Sequence, residues 1–105
     1  VKEMSDQNWR QLGDAVVLWS GKGRSAYPRP SDDRVIGRFG EALGAQLLVQ
    51  VREIVDVFYS SRAAEVAKDL REMGEIAIHD FAGKYPRLPV DAVEALAWCY
   101  TFDFK

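Results

Sequence analysis

The sequence predicts an all-α protein: one domain of about five helices in bundle-like or orthogonal packing. Three observations carry that prediction. Apolar residues recur at three- and four-residue spacing through most of the chain. Glycine, proline and serine clusters cut it into segments of helical length. No strand-like runs alternate with helical ones, as a parallel sheet would require. At 105 residues there is room for one core. A composition 48% hydrophobic and 29% charged suits a folded chain, and Trp9, Trp19 and Trp98 add bulk.

The first helix opens at Ser5, whose hydroxyl caps it, with Asp6 in the first turn. Trp9, Leu12, Val16 and Trp19 follow at helical spacing, and Gly21 stops it. The run Ala15 to Trp19 also fits a short buried strand. Residues 21–30, with two glycines and two prolines, form a loop. Ser31, Asp32 and Asp33 open a second helix with Val35, Ile36, Phe39 and Leu43 on its apolar face. Gly37, Gly40 and Gly44 interrupt it, so a break or kink falls near 40–44. From Ala45 a broad stripe of Leu47, Leu48, Val51, Ile54, Val55 and Phe58 marks a third helix.

Ser60 and Ser61 supply a turn and cap before a fourth helix, whose stripe is Val66, Leu70, Met73, Ala77 and Phe81, ending at Gly83. Residues 85–89 are a tight connection. A fifth helix carries Pro89 in its first turn, with Asp91 and Glu94 at its positive end. Its inner face is Val93, Leu96, Ala97 and Tyr100. Residues 100–104 alternate apolar and polar, as a helix end or as an extended tail.

Charge and cysteine usage narrow the function classes. A net charge of -2 disfavours non-specific binding to nucleic acid or anionic membrane. No run approaches the length of apolar sequence that spans a bilayer. Residues 1–10 are polar and acidic, unlike a signal peptide. The single cysteine, Cys99, fits a reducing compartment, and a cytoplasmic location is expected.

Catalytic and metal signatures are weak, so no cofactor, metal or catalytic residue is expected. Glu72, Glu75 and His79 share a helical face, but the pairings of helical metal sites, His with His at i+4 or Glu with His at i+3, do not occur. Cys99 sits late in a helix beside Trp98 and Tyr100, where the dipole disfavours a thiolate. The segment Gly21 to Ser25 lacks the residue order of a phosphate-binding loop.

Two charged surfaces remain. Lys22, Arg24, Arg29, Arg34 and Arg38 gather around Tyr27, a ring able to stack on a base, and make a possible anion or nucleic-acid patch. On a single fourth helix, Glu65, Asp69, Glu72, His79 and Asp80 fall within about 100° of one another, with Ile76 in the same arc. That face suits a basic protein partner gripped around an apolar anchor. Residues 1–44 carry seven basic and six acidic side chains, and residues 45–105 carry seven and ten. The first expectation is therefore a small non-enzymatic protein-binding module, such as an inhibitor or immunity-type neutraliser of a basic effector. A nucleic-acid-associated protein comes second, and a small metal-dependent enzyme third. The aromatic end, Trp98 to Phe104, docks on its own core or builds a homodimer.

Overall fold

A computed structural model describes residues 4–104. The described residues hold five helices of two turns or more and one single-turn helix, with no strand. They are α1 (Asp6–Ser20), α2 (Asp32–Phe39), α3 (Glu41–Tyr59), α4 (Ala63–Val66), α5 (Leu70–Ala82) and α6 (Val90–Asp103). The molecule measures 42 × 32 × 18 Å, about two helix diameters thick.

The first helix begins where the sequence places it. Ser5 accepts from the Asn8 amide through its hydroxyl, and Gly21, at φ 86°, ends the helix with its N–H on the Leu18 carbonyl. Residues 15–19 are helical, not a strand. Ala15 and Val16 point into the core, and tertiary burial, not alternation, explains their run.

The break between the second and third helices falls at Gly40, and α3 starts at Glu41 rather than Ala45. Leu43 consequently belongs to α3 and not to α2. Gly40 has φ 87° and ψ 165°, a conformation open essentially to glycine alone. The chain turns there, and α2 folds back on α3. Gly44 permits that approach: a Cβ at this position would lie 2.9 Å from Ile36 Cδ1 and 3.0 Å from Ile36 Cα. Ser31 stands at the N-cap of α2 without a side-chain capping bond.

The single fourth helix predicted between Ser61 and Gly83 is two. The α4 turn ends at Val66, Ala67 is extended at ψ 147°, and Asp69, at φ -152°, caps α5. Asp69 Oδ1 accepts from the Glu72 amide at 2.8 Å, while Glu72 Oε1 accepts from the Lys68 amide at 3.0 Å. This reciprocal capping starts a new helix more favourably than Asp69 can continue an old one. Val66 and Leu70, expected on the inner stripe, are exposed as a result. Met73, Ala77 and Phe81 keep their buried places.

Pro89 is the N-cap of α6 rather than a residue of its first turn. The last helix runs to Asp103, so residues 100–103 are helical rather than extended. It packs against α1, α3 and α5, which is why Ala92, Ala95 and Cys99 are buried alongside the predicted face. Phe58, Phe81 and Tyr100 meet at its centre, with Phe58 5.1 Å from Phe81 and 5.6 Å from Tyr100 between ring centroids.

Two glycine substitutions separate a conformational requirement from simple propensity. Gly40→Ala is expected to cost about 1–3 kcal/mol in urea unfolding, because its backbone conformation is closed to alanine. Gly37→Ala, in helical backbone with open space around the new methyl, should instead stabilise by about 0.5–1 kcal/mol.

Candidate interaction surfaces

The basic residues of 22–38 divide into three groups. Lys22, Arg24, Tyr27 and Arg29 are exposed on the loop between α1 and α2. Arg34 is half-buried and turned inward: its Nη1 donates to the carbonyls of Leu18 at 2.9 Å, Trp19 at 3.2 Å and Arg29 at 2.9 Å. It neutralises the carbonyl end of α1 and ties the loop to it. Arg38 lines a different feature, an open cleft of about 680 Å³ along the outer side of α1. That cleft mixes both signs, with Arg10 and Arg87 beside Asp6, Asp14 and Asp91, and Arg87 is paired with Asp6. The structure thus leaves three of the five cations together on the loop.

The loop itself is held. The Arg29 amide donates to the Ser20 carbonyl at 3.0 Å and the Ser31 amide to that of Trp19 at 2.9 Å. The Arg24 and Ser25 amides both donate to the Gly21 carbonyl. Ser20 is fully buried, and its hydroxyl bridges the Val17 carbonyl and the Lys22 amide.

The acidic residues expected on one helix face lie on two helices and the link between them. Glu65, on α4, accepts from Arg62 Nε at 3.1 Å. Asp69 and Glu72 cap α5. Asp80 Oδ2 accepts from the Ser61 hydroxyl at 2.8 Å. Ile76 is half-buried and packed against the core, and His79 is exposed in the last turn of α5. The carboxylates remain at the surface, but each of these four already serves a local bond.

Cys99 is buried on α6, and burial together with the Asp103 carboxylate pushes its thiol up to about 11. It is protonated at neutral pH and poorly nucleophilic. Tyr59, whose hydroxyl donates to Asp103 Oδ2 at 2.5 Å, is raised as well, first by burial and then by that bond. Among the described residues, no three His, Cys, Asp or Glu side chains converge as a metal site would require.

A fourth surface went unseen in the sequence as a unit. Ala26 from the loop, Leu70 from the first residue of α5, and Trp98, Thr101 and Phe102 from α6 line one open depression of about 260 Å³. Tyr27 stacks on Phe102 with ring centroids 6.3 Å apart and planes 22° from parallel. The Arg29 guanidinium lies 6.0 Å from the Tyr27 ring centroid. Tyr27, Leu70 and Phe102 are 49%, 40% and 42% exposed. The sequence marks the aromatic C-terminus as docked on its own core or on a second copy, without linking it to residues 26, 27 or 70. The break before Leu70 turns that side chain out. At the end of the chain Phe104 packs on Tyr100 at 4.8 Å and Tyr59 at 6.5 Å, so this ring docks on its own core.

No family model, curated protein or solved structure matches this chain. Among the described residues, no helix is long and apolar enough to cross a membrane.

Capping and titration give two expected outcomes. Asp69→Ala should lose about 1 kcal/mol in urea unfolding. Glu65→Ala, which removes only an exposed ion pair, should change stability by less than about 0.5 kcal/mol. The raised Cys99 pKa means the folded state holds this proton more tightly than the unfolded chain does. Its contribution is complete below pH 9 and is lost as pH rises toward 11. The melting temperature of Cys99→Ala should fall less over that interval than that of the unaltered protein.

Proposed function

We propose that this protein is a small non-enzymatic module that binds another protein inside the cell, with the depression between Tyr27, Leu70, Trp98 and Phe102 as its docking surface. One observation carries the reading. Large apolar side chains from three separate parts of the chain stand exposed side by side. Single exposed apolar residues are ordinary, whereas a contiguous set of them is typical of interaction sites. Aromatic anchors in a concave setting are also the usual centres of binding energy.

The acidic residues support the reading less. Glu65, Asp69, Glu72 and Asp80 are bonded within the molecule, and Ile76 packs on the core instead of standing among them as an anchor. An inhibitor of a basic effector, gripped through those carboxylates, is accordingly the narrower version of the proposal. The single buried thiol of Cys99 is compatible with a reducing, cytoplasmic setting. Nucleic-acid binding through the loop is weakened by the loss of Arg34 to backbone carbonyls and of Arg38 to the cleft.

Affinity capture with paired baits tests the docking surface. The unaltered protein and a Leu70→Asp/Phe102→Ser variant, both checked for helicity by circular dichroism, are used on nuclease-treated lysate of the source. A protein recovered stoichiometrically by the first should bind the second roughly 30-fold more weakly or worse, the effect of removing a hot spot. Equal recovery by both baits overturns the assignment. Recovery lost instead with Glu65→Lys/Glu72→Lys would move the site to the acidic residues.

A further inference from the structure

We infer that the occupant of this depression is an acidic polypeptide segment that inserts one apolar side chain between Leu70 and Phe102. The inference rests on the docking surface proposed above and adds the chemistry of the partner. Charge complementarity carries it. Lys22, Arg24 and Arg29 flank Ala26 and Tyr27 on the loop, all three are exposed, and none is in an ion pair among the described residues. Arg52, Arg62 and Arg87, elsewhere on the surface, each have a carboxylate partner.

The other wall carries both signs. Lys68 and Arg71 are exposed close to Leu70 in sequence, while the carboxylates between and beside them, Asp69 and Glu72, are turned into the cap of α5. Asp103, beside Phe102, accepts from the Tyr59 hydroxyl. Those three carboxylates keep their charge when hydrogen-bonded, but five cations, Lys22, Arg24, Arg29, Lys68 and Arg71, outnumber them in the segments that supply the depression. Outside Lys22, Arg24 and Arg29 the chain carries eleven basic and sixteen acidic side chains, so long-range charge favours the approach of an acidic partner to this loop.

Presentation of the charge also matters. The loop is fastened to the end of α1 by Arg34 and by the Arg29 and Ser31 amides. The backbone that carries these cations is fixed on either side of Ala26, which lines the depression, and this lowers the ordering cost of binding. Single-stranded nucleic acid fits less well. The Tyr27 ring, which would have to stack on a base, is already engaged by Phe102 and Arg29.

Fluorescence anisotropy with three labelled probes tests the inference. Two are short peptides with the same central Leu-Phe pair, one flanked by glutamates and the other by lysines. The third is an oligothymidylate of the same charge as the acidic peptide. The acidic peptide should bind at least about tenfold more tightly than the basic one at low salt, and the gap should close near 0.3 M salt, roughly where screening removes exposed charge effects. Charge reversal by Lys22→Glu, Arg24→Glu and Arg29→Glu should abolish the preference, and Leu70→Asp should abolish binding.

Tighter binding of the oligothymidylate, equal binding of the two peptides, or no binding of the acidic peptide would each overturn the inference. So would a concentration-dependent dimer in sedimentation that Leu70→Asp dissolves, since a second copy would then be the occupant. The two readings fail separately. If the lysate partner is lost with Leu70→Asp but kept by the triple reversal, the docking surface stands and the acidic partner does not.

Discussion

Phe58, Phe81 and Tyr100 come from three different helices and are almost completely removed from water. Each ring contributes a large apolar area, and the tilted and edge-on contacts among them add directionality. Their meeting fixes where α3, α5 and α6 cross. It also reaches beyond the core. The Tyr100 hydroxyl accepts from the Ala64 amide at 3.2 Å and donates to the Ser61 carbonyl at 3.4 Å. Ser61 lies in the turn that leads out of α3 and Ala64 in α4, so one buried ring ties α4 to the core.

Arg34 does for the first half of the chain what Tyr100 does for the second. A long cationic side chain reaches back from α2 and collects carbonyls from the end of α1 and from the loop. The Leu18 and Trp19 carbonyls also accept from the Gly21 and Ser31 amides, so the guanidinium adds a second donor to each and ties in the Arg29 carbonyl. One arginine is thus turned inward while Lys22, Arg24 and Arg29 gain a fixed platform. Structure and candidate function divide a run of like charges that reads as uniform.

Much of this architecture was legible because it depends on neighbours in sequence. Ser5 and Gly21 bound α1 as their chemistry requires, and the stripe from Leu47 to Phe58 is buried almost as written, with Val55 only half-buried. The break between α4 and α5 was harder. Val66, Leu70, Met73, Ala77 and Phe81 keep helical spacing across it, so periodicity favours one continuous helix. The competing signal was the pair Asp69 and Glu72, three residues apart in the arrangement of a capping box, and capping prevailed. Which of three nearby glycines would form the turn depended on how closely α2 lies against α3, and the inward reach of Arg34 on where the end of α1 lies. Neither can be read from local spacing. The depression shares that dependence, since its walls come from residues 26, 70 and 98–102, three separate parts of the chain.

The packing of α1 on α6 has a bearing on how the molecule is made. Most other contacts join helices that follow one another closely, such as α2 with α3 and α5 with α6, and such contacts close with little loss of chain entropy. The first and last helices are the exception. During synthesis the apolar side of α1 emerges long before α6 exists to cover it. Of the helix pairs in contact, α1 with α6 spans the widest stretch of chain and so carries the largest entropy cost of closure.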